Sequence, residues 1–154
     1  MTNYKGKVSG AGKKVALVIS RFNEAVTFKL RDGAVAELAR LGVAADAVDL
    51  FEVPGAYELP PVTRRVADSG RYDAVICLGA VVRGATSHFD YVAGEAAKGI
   101  AAVAGRSACP VIFGVLTCDT EEQAHERAGG KAGNKGAECA RAALEMADLY
   151  QAIG

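Results

Sequence analysis

Short continuous apolar runs alternate with amphipathic stretches along the whole chain. Residues 14–20 (KVALVIS) form the first run, of the kind carried by a strand buried on both faces. Asn23 follows in an N-cap position and opens a helix in which Leu30, Ala34, Leu38 and Leu41 share a face, and Gly42 stops it. Residues 47–53 are the second predicted strand and 58–69 the second helix, with Pro60 and Pro61 in its first turn and Gly70 at its end. Residues 73–79 are the third strand. Ser87-His-Phe-Asp90 reads as a capping box that opens a long helix running to about Gly105. Residues 111–116 are the fourth strand, and Thr120-Glu-Glu-Gln123 caps a short helix ending at Gly129. After a Gly-rich turn over 129–136, a last helix capped by Asn134 carries Ala137, Ala140, Leu144 and Ala147 on one face.

This alternation predicts a three-layer α/β/α fold, a mainly parallel four-stranded sheet covered by helices on both faces. The 154 residues suit a single domain, 1–154, burying about two-thirds of its unfolded surface. Residues 4–9 look weakly extended and find no partner within the pattern, which predicts that they add to a neighbouring subunit's sheet edge.

Charge narrows the function classes. Eighteen Lys and Arg balance eighteen Asp and Glu, so no net field attracts nucleic acid or an anionic membrane. No stretch approaches the ~20 apolar residues that span a bilayer, and residues 1–8 carry charges without an apolar segment of the export type, so the expected location is cytoplasmic. The four cysteines, Cys77, Cys109, Cys118 and Cys139, form no CxxC and no Cys/His cluster, so buried reduced thiols are expected and no metal.

In an open parallel sheet, ligands bind beyond the carboxyl ends of the strands. The unusual residues of this sequence gather there: Arg21-Phe22-Asn23 after the first strand, Pro54-Gly-Ala-Tyr-Glu58 after the second, and Ala80-Val-Val-Arg-Gly-Ala-Thr-Ser-His88 after the third. Gly84, Ala85 and Thr86 precede a helix start, where free N–H groups and the positive dipole end bind anions and small residues admit a phosphate. His88 lies in the first helical turn, where the dipole disfavours imidazolium and leaves a neutral ring able to take a proton. His125, in a short charged helix, reads as a surface residue. Lys135, at the start of the last helix, opposes that helix's dipole and reads locally as a solvated lysine. Arg127, near a helix C-terminus, reads as a dipole partner. Phe22 suits stacking on a planar ring or stapling the helix start equally well. Glu58 opens a helix and is also placed to accept hydrogen bonds from a polyol. Gly10-Ala-Gly12 precedes a strand and is no dinucleotide fingerprint, and residues 129–136 hold no GxxxxGK[ST].

Taken together, Arg21-Phe-Asn23, Val53-Pro-Gly-Ala-Tyr-Glu58, Arg83-Gly-Ala-Thr-Ser-His-Phe-Asp90 and Arg127-Ala-Gly-Gly-Lys-Ala-Gly-Asn-Lys-Gly136 closely resemble the lumazine synthase family, in order over nearly the whole chain. The resemblance implies a flavodoxin-like fold and a transferase that condenses 5-amino-6-(D-ribitylamino)uracil with 3,4-dihydroxy-2-butanone 4-phosphate. The products would be 6,7-dimethyl-8-ribityllumazine, phosphate and water, in the penultimate step of riboflavin biosynthesis. The family uses no cofactor or metal. Carried over by motif position, Phe22 stacks on the pyrimidine, while Ala56, Tyr57 and Glu58 hold the ribityl chain with Asn23 nearby. Ala80, Val81 and Val82 line the pyrimidine site, and Ala85 and Thr86 contact the phosphate, which inorganic phosphate could also replace. Arg127 from a neighbouring subunit is the phosphate's main cation, His88 transfers protons, and Phe113 and Lys135 complete the pocket.

The resemblance thus reverses the local readings of Arg127 and Lys135, because a site shared between subunits explains why neither stands out alone. It further implies homo-pentamers, and the short 129–136 turn resembles members whose pentamers build icosahedral shells. Tyr57, where Phe or Ile is familiar, and Ala80, where Thr is common, depart from the pattern and are expected to tune pocket polarity. Two other functions remain open on sequence: lumazine dismutation of the riboflavin synthase type, and a non-catalytic cage that binds a ribityl-bearing ring.

Overall fold

The computed structural model describes all 154 residues. Its main sheet is built from β1 (Val15–Ser20), β2 (Val48–Val53), β3 (Ala74–Val82) and β4 (Val111–Cys118), all parallel, in the order β2-β1-β3-β4. The joining helices are α1 (Glu24–Arg40), α2 (Leu59–Asp68) and α3 (His88–Ala104). Beyond β4 come α4 (Glu121–Glu126), a small antiparallel pair β5 (Ala128–Gly130) and β6 (Gly133–Asn134), and α5 (Lys135–Ile153).

The period-2 alternation of strand side chains divides the core in two. Val15, Leu17 and Ile19 of β1 pack with Val26, Leu30, Ala34 and Leu38 of α1 and with Cys139, Ala140, Ala143 and Leu144 of α5. Ala16 and Val18, on the opposite face, pack with Leu59 and Val66 of α2 and Ala96, Ile100 and Val103 of α3. Every residue of β1 is buried, as an inner strand with helices on both sides requires. The edge strands are wetter, with Leu50 on β2 and Phe113 on β4 exposed. Three cysteines are buried and Cys109 is half-buried, and all four are free thiols. Burial pushes the Cys77 thiol up to about 12 and that of Cys139 to about 11, so both remain protonated and pack as small apolar groups.

Several local expectations need correction. Asn23 does not cap α1 with its side chain: its backbone is left-handed (φ 64°) and its side chain points instead to β3. Ser87 precedes α3, but its side chain makes no capping bond: the Asp90 N–H donates to the Ser87 carbonyl at 3.1 Å, and the Asp90 carboxylate is turned towards Arg83. The third strand runs through Val82, so Ala80, Val81 and Val82 are sheet residues and not loop. Growth of β3 along β4, with Ala80, Val81 and Val82 beside Leu116, Thr117 and Cys118, accounts for the extra length. The short helix ends at Glu126, and part of the expected 129–136 turn is the β5–β6 hairpin. The caps on α4 and α5 form as the sequence indicates: Thr120 Oγ1 accepts from the Gln123 N–H at 3.1 Å, and Asn134 Oδ1 from the Ala137 N–H at 3.2 Å.

Residues 1–10 form no strand in this chain. Within them the Lys7 N–H donates to Asp148 Oδ2 of α5 at 2.7 Å, Gly6 abuts the Glu145 carbonyl, and the Gly10 N–H donates to the Leu41 carbonyl at 2.9 Å. No helix is long and apolar enough to cross a membrane.

Close approach of α1 and α5 depends on Gly136, since a Cβ there would collide with the Leu30 carbonyl oxygen. Backbone can yield only by moving the helix. Gly136→Ala is therefore expected to lower unfolding free energy by about 1–3 kcal/mol in urea titration, a loss that the same substitution at the open Gly94 does not cause.

Candidate active site

Parallel strands joined by helices send their strand-to-helix loops out at one end of the sheet, and a cleft of about 730 Å³ opens there. The β1–α1 loop contributes Phe22 and Asn23, and the β2–α2 connection contributes residues 54–58. Ala80, Val81 and Val82 come from the end of β3, and Gly84, Thr86, His88, Phe89, Tyr91 and Val92 from the loop and helix that follow.

Hydrogen bonds between loops hold this wall together. The Arg21 and Phe22 N–H groups donate to the Val53 and Pro54 carbonyls at 2.8 and 2.9 Å, tying the first loop to the second. Asn23 Nδ2 donates to the Ala80 carbonyl at 3.0 Å, tying it to the third. The bond is made from a left-handed backbone at Asn23, a conformation that Asn tolerates better than most residues. Glu58 Oε2 accepts the Gly55 N–H at 3.0 Å and closes the turn after β2.

Phe22 is 72 %, Tyr57 60 % and Tyr91 71 % exposed, an unusual display of aromatic surface around one hollow. His88 is the first residue of α3 and is also exposed; its backbone N–H faces Thr86 Oγ1 at 3.4 Å. The exposed loop before it lies at the positive, N-terminal end of a 17-residue helix.

The other predicted residues lie elsewhere in the chain. Phe113, Arg127 and Lys135 line a separate cleft of about 430 Å³ beside the edge strand β4, together with Thr117, Cys118, Ala132 and Glu138. No residue lines both clefts, and Ala85, exposed in the loop before α3, lines neither. Arg127 is aimed by its Nη1, which donates to the Gln123 carbonyl at 3.0 Å, and it stands 3.7 Å from Glu126. The Lys135 N–H donates to the Arg127 carbonyl at 2.8 Å, so the two cations are carried on one corner. Burial raises the Cys118 thiol, which leaves it a neutral part of this wall.

Tyr91 and Glu138 were not singled out from the sequence. Glu138 lies one helical turn beyond Lys135, a spacing that could have found it; Tyr91 carries no such signal. His125 stays on the surface, with Nε2 3.6 Å from Glu121. No three His, Cys, Asp or Glu side chains come together in a possible metal site. A further hollow of about 420 Å³ on α2, lined by Pro61, Arg64, Arg65, Asp68 and Ser69, contains no strand-end residue.

A 2-1-3-4 parallel sheet between two helical layers, with an aromatic-rimmed cleft beyond its strand ends, defines a flavodoxin-like α/β protein. Residues 12–151 match the family described as 6,7-dimethyl-8-ribityllumazine synthase. The chain belongs to this family. It is 57 % identical, over 99 % of its length and 94 % of the relative's, to the 6,7-dimethyl-8-ribityllumazine synthase of Anaeromyxobacter dehalogenans (strain 2CP-C). The protein of the same name from Anaeromyxobacter sp. (strain Fw109-5) is 57 % identical over 98 % of this chain and 93 % of its own.

The left-handed backbone at Asn23 generates a stability prediction. Asn23→Ala and Asn23→Gly both lose the bond to Ala80, but only alanine strains the backbone. The alanine variant is expected to be less stable than the glycine variant by about 1 kcal/mol in denaturant unfolding, and equal midpoints would show that the loop relaxes.

Proposed function

We propose that this chain condenses 5-amino-6-(D-ribitylamino)uracil with 3,4-dihydroxy-2-butanone 4-phosphate to give 6,7-dimethyl-8-ribityllumazine, phosphate and water. The observation that carries the reading is the convergence of Phe22, Tyr57, Glu58 and His88 on one cleft, in a chain of this family. In the proposed mode the pyrimidine stacks on Phe22 and lies along Ala80, Val81 and Val82. Glu58 already holds the Gly55 N–H through one carboxylate oxygen, and its other oxygen accepts from a ribityl hydroxyl. Asn23, Ala56 and Tyr57 surround the same chain, and the tyrosine hydroxyl adds polarity.

The phosphate of the second substrate sits on the N–H groups of Ala85 and Thr86, where the α3 dipole favours negative charge. One substrate amine attacks the ketone and loses water to give an imine. Elimination then expels phosphate and leaves an enol that tautomerises to a ketone; the second nitrogen attacks that carbonyl, and loss of a second water closes the ring. His88, beside the phosphate loop, carries protons between these steps. Holding two substrates in attack geometry supplies much of the acceleration, since orientation alone is worth effective molarities of about 10⁵ M or more in favourable cases.

Separation of Arg127, Lys135 and Phe113 from this cleft within one chain supports a site shared by adjacent subunits. In that arrangement one subunit's His88 cleft is completed by a neighbour's Arg127 corner. Residues 4–9 add to the neighbouring subunit's sheet, and pentamers built this way associate into a shell.

Two measurements test the reading. Supplied with both substrates, the enzyme is expected to form lumazine absorbance and phosphate together. His88→Ala is expected to lower kcat by about 10²-fold or more while leaving a measurable rate, whereas Arg127→Ala chiefly raises KM for the butanone phosphate. An unchanged rate for His88→Ala would remove it from proton transfer, and flavin made from lumazine alone would indicate dismutation instead. Light scattering is expected to give the mass of a closed shell of pentamers; free pentamers only would refute the shell.

A further inference from the structure

The loop assigned above to the phosphate, residues 84–87, is exposed throughout. Its side chains contribute one long contact, Thr86 Oγ1 to the His88 N–H at 3.4 Å. A loop that must place a phosphate to within about half an ångström needs anchoring from outside itself.

Arg83 stands immediately before this loop and Asp90 just after it. The Arg83 guanidinium reaches across, with Nη1 3.4 Å from Asp90 Oδ1, and lies over the Phe89 ring at 4.4 Å. Its Nε donates to Asp119 Oδ1 at 2.9 Å, and its backbone N–H to the Cys118 carbonyl at 2.9 Å. Asp119 is itself fixed, since its N–H donates to Gln123 Oε1 at 2.9 Å, and the carbonyl of the same Gln123 holds Arg127. One side chain thus joins both ends of the loop to the β4–α4 corner, and it lines neither cleft. All three charged partners are exposed, so the cluster adds little to stability and its effect is one of geometry.

We propose that Arg83 is a positioning residue for the phosphate loop, clasping its two ends through Asp90 and Phe89 and anchoring them on Asp119 without touching substrate. The inference rests on the assignment of residues 84–87 to phosphate. A planar fork is needed to serve two carboxylates and a ring face at once, which a lysine ammonium cannot do.

The assembled enzyme carrying Arg83→Met tests the clasp. Its kcat/KM for the butanone phosphate is expected to fall about tenfold, while KM for ribitylaminouracil stays within about twofold. Arg83→Lys is expected to restore only a small part of the loss. Amide hydrogen exchange at residues 84–87 is expected to quicken in Arg83→Met, with exchange in β1 unchanged. Should Arg83→Met fail to fold, Asp119→Ala removes the 2.9 Å anchor and carries the same expectations. Unaltered loop exchange, or any other pattern of kinetic constants, overturns the clasp. If the unsubstituted enzyme forms no lumazine, the functional reading fails instead, and the exchange measurement still decides whether Arg83 orders the loop.

Discussion

The structure depends on burying β1 and β3 side by side between two layers of helices. A strand covered on both faces must carry apolar side chains in both directions, and its backbone must be fully paired by neighbours. Val15, Leu17 and Ile19 meet α1 and α5 while Ala16 and Val18 meet α2 and α3, so one six-residue strand ties both half-cores together. Parallel pairing then forces a helical crossover between strands. The loops that follow β1, β2 and β3 emerge together, and the large cleft is a geometric consequence of how the core is covered.

On that scaffold the loops are joined mainly by backbone groups and a few side chains. Asn23 tolerates a left-handed backbone to reach the Ala80 carbonyl, and Glu58 folds back on the Gly55 N–H. These bonds fix the wall while leaving Phe22, Tyr57 and His88 exposed, a combination with no benefit to an isolated fold. Apolar rings facing water cost stability unless something planar covers them. The second cleft, on the β4 edge, carries Arg127 and Lys135 with Glu138 between its apolar residues. The residues assigned to the proposed condensation are thus divided between two clefts of one chain, the observation on which the proposal of a site shared between subunits rests.

Arg83 illustrates how exposed charge can matter without stabilising. Its contacts with Asp90 and Asp119 raise its already high affinity for a proton, but all three groups are solvated. Their effect is to restrict where a polar loop can go. A second cluster at the opposite end of the sheet, where the Tyr72 hydroxyl donates to Asp49 at 2.6 Å near Lys14, serves the fold alone.

Order and type of the main elements were legible in the sequence, because hydrophobic period and punctuation by Gly42, Gly70, Pro60 and Asn134 are local properties of the chain. The caps at Thr120 and Asn134 were legible for the same reason. The caps expected at Asn23 and Ser87 do not form: the Asn23 side chain is drawn to Ala80 on β3, and the Asp90 N–H goes to the Ser87 carbonyl while its carboxylate faces Arg83. The continuation of β3 through Val82 required β4 beside it. The motifs single out Phe22, Glu58, His88, Arg127 and Lys135 but not Tyr91 or Glu138, and no spacing along the chain shows that Phe22 and His88 share one cleft while Arg127 and Lys135 line another. Helix caps, turns and amphipathic faces depend on neighbours a few residues away, so the sequence determines them directly. Which loops meet, which hydrogen bonds displace a local cap, and how the site is divided depend on contacts made across the sheet, and only the tertiary structure decides those.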